Sequence, residues 1–421
     1  MTTLSFRTAR RVLLALLPAL IFGSGVQAQD DGNNSIGQGS NIVYTTAVPF
    51  LMIEPDSRAA GMGNAGVGLA DNASAVFWNP AGLARQRGAE VSITHSNWLP
   101  AITSDLFYEY LAGKYHLEGI GTFGGNITFF NLGEQEFRGP NNEDLGTFRS
   151  YELNTGLSYA RQVTRGLALG TGLRLIYSNL AGGVTLGQGQ PGETQTKAGV
   201  SVGLDLAALY TFKPFELGSI PVTTNLGFNL ANMGPKVKYT TNECNERTGE
   251  SCGDPLPTNL RFGGAFSAQL DEFNKLNLAI DFNKTLVDYE QFQVLDENDE
   301  PVFDENGNPE LAARAKPFYE AIFSSWKSVP VRDTNGDIED VGVLRQITVG
   351  TGLEYWYNDL VAFRTGFFYE DPSNGNRKFL TFGAGIRYNL IGVDFSYIYP
   401  IEEESPLANT LRFSLLLNVL R

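Results

Sequence analysis

The chain has little of the chemistry on which most enzymes and metalloproteins are built. Its 421 residues include two Cys, two His and four Met. His95 and His116 stand in strand-like stretches far in sequence from the cysteines, so no His/Cys ligand set forms, and neither a metal site nor a cofactor is expected. Basic residues are also few, 31 Lys and Arg against 46 Asp and Glu, which argues against nucleic acid and against a basic patch for anionic lipid. No run of about 18 apolar residues occurs, which excludes a membrane-spanning helix. Any membrane residence would have to use strands.

The longest apolar run, 12–22, is too short to span a bilayer. It follows Arg7, Arg10 and Arg11 and precedes Val26, Gln27 and Ala28, a small-x-small cleavage site, so residues 1–28 read as a secretory signal peptide. Three of the 31 basic residues and none of the 46 acidic ones fall in it, leaving a mature chain of 28 basic against 46 acidic groups. Residues 29–42 are polar and of low complexity, expected to form a flexible periplasmic tail. Both cysteines lie in one polar segment, NECNERTGESCGDP, and in an exported protein Cys244 and Cys252 are expected to close a local disulfide.

What is abundant is glycine and aromatics, 47 Gly, 28 Phe and 17 Tyr, arranged with a period of two. In 379–390, Leu380, Phe382, Ala384, Ile386, Tyr388 and Leu390 share one face, opposite Thr381, Gly383, Gly385, Arg387 and Asn389. Segments of this kind recur near 88–96, 105–116, 120–131, 151–161, 166–179, 199–212, 222–232, 258–269, 276–287, 345–357, 360–369, 379–389, 392–399 and 410–420. About fourteen strands of roughly ten residues fit a transmembrane antiparallel β-barrel. Short links alternate with long polar ones at 132–150, 180–198, 233–257, 288–344, 370–378 and 400–409, and a shorter one at 97–104. Short turns are expected at the periplasmic rim and long loops at the cell surface. A soluble β-sandwich would alternate too, but not with this two-rim loop asymmetry. The last segment alternates almost to the terminus but ends in Leu420 and Arg421, without a terminal aromatic.

One stretch breaks the alternation. Ser57 to Arg85, SRAAGMGNAGVGLADNASAVFWNPAGLAR, is rich in Gly and Ala and ends in the compact group Phe77, Trp78, Asn79, Pro80, Ala81 and Gly82. Placed ahead of the strands, residues 43–87 are expected to form an N-terminal hatch in the lumen of a barrel over 88–421. Catalytic patterns match by letter only. Gly61, Gly63, Gly66 and Gly119, Gly121, Gly124 fit G-x-G-x-x-G without a parallel strand leading into a helix, and Ser201 in Gly199-x-Ser201-x-Gly203 lies mid-strand, away from any elbow. The acidic runs near 296–300, 304–310, 333–340 and 402–404 lack EF-hand spacing and read as solvated loops. Glu90, Arg174, Asp205, Arg261, Asp281, Glu354, Arg364, Arg387 and Asp394 fall on the lumen side and mix both signs. Within the long 288–344 connection, Phe318, Ile322 and Trp326 recur at helical spacing, either folding back over the mouth or presenting a partner-binding surface.

The segment NASAVFWNPAGLAR, with Asn79, Pro80 and Ala81, resembles the hatch of the FadL-like family, whose barrels have fourteen strands. With the preceding SRAAGMGNAGVGLAD, the following HSNWLP and the long loops, the chain looks most like the FadL-like members that serve the type IX secretion system. That resemblance implies an outer-membrane protein of a Gram-negative cell, not an enzyme, acting as a shuttle and attachment factor. Its implied partners are secreted cargo, recognised through a C-terminal signal domain, the giant translocon barrel, a sortase-like surface protease of the attachment complex, and outer-membrane lipid. The 288–344 and 233–257 loops are expected to hold the cargo. The alternative is FadL-type transport of hydrophobic small molecules. An esterase would need a Ser or Asp paired with a His, for which the two His offer no evident partner.

Overall fold

The computed structural model describes residues 46–420 except 102, 104, 139–143, 187–193, 248–251, 297, 304–308, 310, 333–337, 403 and 404. The signal segment and the 29–42 tail lie outside the described residues. Fourteen antiparallel strands form one closed barrel: β1 (Ala89–Asn97), β2 (Phe107–Leu117), β3 (Gly121–Arg138), β4 (Asp144–Gln162), β5 (Leu167–Asn179), β6 (Gly199–Thr211) and β7 (Ile220–Met233), then β8 (Asn259–Gln269), β9 (Asn274–Thr285), β10 (Thr348–Tyr357), β11 (Val361–Tyr369), β12 (Lys378–Tyr388), β13 (Ile391–Pro400) and β14 (Leu411–Leu420). Each strand pairs with its sequence neighbour, and β1 pairs with β14, Ile93 opposite Leu415, to close the ring.

Side-chain polarity is inverted relative to a water-soluble protein. Leu157 (71% exposed), Leu173 (61%), Val200, Phe363 and Leu415 point outward, whereas Ser92, Thr94, Asn154, Asp205, Asn229 and Glu354 are buried inside. Only an apolar surrounding makes that arrangement favourable. Exposed Tyr115, Tyr210, Phe212, Phe273, Tyr357 and Tyr388 ring the short-turn end. Near the other end Phe107, Phe129, Tyr151 and Tyr177 form a file across β2 to β5, with ring centroids 6.1, 6.0 and 5.9 Å apart. Two aromatic belts bounding an apolar band are the signature of a barrel that spans a membrane. No helix among the described residues is long and apolar enough to do so.

The 132–150 region is not the irregular loop expected from its polarity. β3 and β4 continue as a paired hairpin, Gln135 opposite Phe148 and Glu136 opposite Thr147, after a register shift between Asn131 and Glu134. Gly133, at φ +76°, sits in that shift. Beyond the apolar band both faces meet water, so backbone pairing persists after alternation stops.

The N-terminal segment runs down the lumen. Ala47 donates its N–H to Pro255 O (3.0 Å) in the 234–258 connection at the long-loop end. Tyr108 Oη donates to Ile53 O, Ser57 N to Ser414 Oγ, and Gly63 N to Thr381 Oγ1 within the lumen. At the bottom Arg85 Nη2 donates to Gly166 O (3.0 Å) in a short turn, just before β1 begins. The segment is nearly all turns, with the single-turn helices α1 (Ser57–Ala60) and α2 (Ala75–Trp78).

Candidate functional site

Two places gather side chains that the strands alone do not require: the Asn79-Pro80-Ala81 group in the lumen and the connections above the long-loop rim. In the lumen, Asn79 Oδ1 accepts from Ala81 N (3.1 Å), capping the 3₁₀ turn that Pro80 opens, and its Nδ2 donates to Val67 O and Ala208 O. One amide thus ties the segment to itself and to β6. Arg261 lies 4.2 Å from the Phe77 ring centre and donates to Phe77 O, while Asn229 Nδ2 donates to Phe77 O and Trp78 O. Trp78 Nε1 donates to Asp56 Oδ1 (2.7 Å).

The inward charges are committed partly to this segment and partly to one another across the wall. Asp281 Oδ2 accepts from Gly66 N and Val67 N (2.6 and 2.8 Å), Glu90 from Ala73 N, and Glu354 from Arg58 and Arg364. Asp394 pairs with Arg364 and Arg387, and Arg174 with Asp205. The segment approaches the wall so closely that a Cβ on Gly170 would come within 2.4 Å of Ala81 N. These residues anchor a filled lumen. They do not form a reactive constellation.

At the long-loop rim the connection between β9 and β10 folds into two small hairpins, Tyr289–Gln293 with Leu311–Ala315 and Val329–Arg332 with Ile338–Val341, around helix α3 (Phe318–Ser324). Asp288, 4% exposed, is its anchor. Its Oδ2 accepts from Lys316 Nζ and Ser324 Oγ (both 2.6 Å) and its Oδ1 from Lys327 Nζ (2.9 Å). Burial pushes this carboxyl up, but the bonds from Lys316, Ser324 and Lys327 outweigh it and hold it below its ordinary value. The same contact with Asp288 raises Lys316.

Of the Phe318/Ile322/Trp326 set, Phe318 folds back toward the barrel and Trp326 is exposed. Phe318, the partly exposed Tyr319 and buried Ala321 line an apolar groove of about 280 Å³ with Pro235, Pro255, Leu256 and Leu286. Ile322 is half-buried. The exposed aromatics are Tyr319 (59%), Phe323 (80%) and Trp326 (46%), of which only Trp326 belongs to the Phe318/Ile322/Trp326 set. The helix stops at Ser324, so the i+8 spacing does not continue along one face, and Trp326 is held past its end by Nε1 donating to Ile322 O (2.9 Å). Tyr319 and Phe323 carry the same i, i+4 signal one residue later. Nothing in the sequence says which of two overlapping stripes meets the barrel.

The neighbouring 234–258 connection is braced by the Cys244–Cys252 disulfide and by backbone bonds between Val237 and Asp254 (2.8 and 2.9 Å). It packs beside the longer connection: a second cleft, about 230 Å³, has Val237, Tyr239 and Asp254 on one side and Tyr289, Ala313 and Arg314 on the other. Residues 288–344 hold fourteen Asp and Glu against four Lys and Arg. The exposed aromatics therefore sit in an acidic frame. The acidic runs 304–310 and 333–340 lie partly outside the described residues, and among the described residues no three His, Cys, Asp or Glu converge as a metal site. His95 bonds Glu109 and Asn97, His116 bonds Thr122, and Ser201 Oγ donates to Pro235 O.

A family model described as Type IX secretion system protein PorV matches residues 36–291. No curated protein sequence matches the chain. Among solved structures, the chain is similar to the Pseudomonas putida toluene transporter TodX, with a TM-score of 0.48 and 13% identity over 86% of this chain and 96% of that one. It is similar also to the Ralstonia pickettii toluene transporter TbuX, with 0.46 and 14% over 87% and 98%. A Pseudomonas aeruginosa FadL homologue gives 0.40 and 11% over 90% and 99%.

Proposed function

The chain belongs to the family of the type IX secretion system protein PorV, outer-membrane β-barrel components of that machinery, and from that premise we propose that it is a shuttle and attachment factor for secreted cargo. In this reading it is not an enzyme. It takes cargo by the C-terminal signal domain at the translocon barrel and delivers it to a surface attachment complex that contains a sortase-like protease, with the long loops on the cell surface. The observation that carries the reading is the exposed aromatic face Tyr319, Phe323 and Trp326, held rigid by Asp288 above a filled lumen. A small barrel occupied along its length offers no passage to a folded protein, so cargo is held from outside. Exposed aromatics on an anchored element are the usual carriers of binding energy. Their acidic frame selects a partner face that is basic at its edge and apolar at its centre.

Replacing Tyr319, Phe323 and Trp326 together with Ser should weaken cargo co-purification by about tenfold or more, since one good anchor contributes about 2 kcal/mol. Barrel assembly should be unchanged, because Phe323 is exposed and the contacts of Trp326 with Lys284 and of Tyr319 with the groove lie at the rim, outside the paired strands. Unaltered cargo recovery from the triple variant would reject the assignment. A second reading, uptake of hydrophobic small molecules, is favoured by a cavity of about 470 Å³ at the long-loop end, where Phe50, Ile53, Trp98, Phe130 and Phe368 share the lining with Glu54, Glu370 and Arg377. Purified protein that carries lipid and no cargo would support it.

A further inference from the structure

We propose that the short-turn rim from β4 to β7 is a binding site for anionic glycerophospholipid, with Arg161, Arg165 and Lys213 on the headgroup phosphate. The acidic balance of the whole chain hides a local reversal. The end of β4 with its turn into β5, and the turn from β6 to β7, carry these three cations against one acid, Glu216. The other four short turns, 118–120, 270–273, 358–360 and 389–390, carry Glu118, Asp271, Glu272 and Asp359 and no Lys or Arg. Positive charge is therefore confined to one sector of that rim.

Strand pairing gathers the three cations. Leu167 pairs with Tyr210 and Thr211 N donates to Gly166 O (2.8 Å), which sets the two turns side by side. Neighbouring strands lie about 4.8 Å apart, so β4, β5 and β6 present one continuous patch. Within the first turn the polar groups satisfy one another: Val163 N donates to Leu167 O, Leu167 N to Thr164 Oγ1 and Gln162 Nε2 to Thr164 O. Arg161, Arg165 and Lys213 are exposed, and among the described residues none of them enters an ion pair.

Their height on the wall is that of a headgroup. The outward file of β4 runs through Leu157 and Tyr159 and ends in Arg161, opposite exposed Leu169. On β6, exposed Tyr210 and Phe212 pack edge to face, 4.9 Å between ring centres, immediately before Lys213. Apolar band, aromatic belt and cation follow one another as acyl chain, interface and phosphate do in a leaflet. That continuity with the lipid-facing wall selects a membrane lipid over a soluble anion or an acidic protein. Each cation near an anionic lipid surface is worth about fivefold in affinity.

The test counts bound lipid. Purified protein in a non-ionic detergent is mixed with equimolar phosphatidylglycerol and phosphatidylethanolamine, and the lipid that stays on it is counted by native mass spectrometry. Phosphatidylglycerol should be enriched at least about fivefold. Arg161→Gln, Arg165→Gln and Lys213→Gln together should bring the ratio to within about twofold of parity, whereas Lys275→Gln at another short turn should leave the enrichment unchanged. Arg161→Lys with Arg165→Lys should also retain it, since the charge is kept. An enrichment that survives the triple Gln variant, or is absent from the unsubstituted protein, overturns the proposal. Equal loss from Lys275→Gln would mean diffuse surface charge, and loss from the charge-keeping variant would mean a structural effect; either result overturns it. Displacement of the lipid by excess inorganic phosphate would make the cluster a general anion site and overturns it as well.

Discussion

Asp288 sits where β9 gives way to the long connection, and its two oxygens collect three side-chain donors from residues 28 to 39 positions away. Lys327 is half-exposed and contributes least; Lys316 and Ser324 supply most of the hold, together about 2 kcal/mol. Because the folded connection depresses the Asp288 carboxyl, it binds protons less readily than the opened one. The hold is therefore complete above the ordinary carboxylate range and is lost as pH falls through the depressed value. Asp288→Asn should raise the rate of proteolytic cleavage within 288–344 about tenfold at neutral pH while the barrel still resists denaturing gel conditions, and the unsubstituted protein should show the same loosening in acid. Equal cleavage rates at neutral pH would mean that Asp288 is not the anchor. At this scale the sequence was only half legible. Cys244 and Cys252 stand close enough in one polar segment to suggest their pairing, but that Phe318 and Tyr319 meet a groove and Phe323 stays exposed depends on Pro235, Leu256 and Leu286, contributed from elsewhere in the chain.

At the scale of elements, all fourteen strands were readable because a lipid-facing strand leaves its period of two on the sequence. The exception is the upper part of β3 and β4, where both faces are wet and pairing leaves no such trace. The lumen segment was legible as an anomaly and opaque as a path. Runs of Gly and Ala have no period, and their positions follow from contacts with strands that come more than a hundred residues later. Gly63 shows how tight those contacts are. At φ +63°, a Cβ there would lie 2.4 Å from Thr351 O and 2.6 Å from Phe367 N. Gly63→Val should dislodge the segment locally, destabilising the barrel by about 2 kcal/mol or more through backbone strain and steric overlap. Urea titration of the refolded barrel would register this as a lower midpoint, and an unshifted midpoint would show that the segment does not brace the wall.

For the molecule as a whole, the inverted polarity sets what each position tolerates. Leu173 on β5 faces outward between Leu157 and Leu204, while Arg174 beside it is buried and paired with Asp205. Leu173→Arg should lower folding stability in lipid vesicles by about 2–4 kcal/mol, the depth-dependent penalty of a lipid-facing cation. A change under about 0.5 kcal/mol would be incompatible with an apolar surrounding at that site. The pairing of β1 with β14 carries a consequence in time as well. It joins Ile93 to Leu415, so the last contact of the ring waits for the end of the chain. Residues 46–85 bond to β2, β6, β12 and β14, so the lumen segment ties together parts of the ring that are far apart in the chain, and wall and filling are stabilised together.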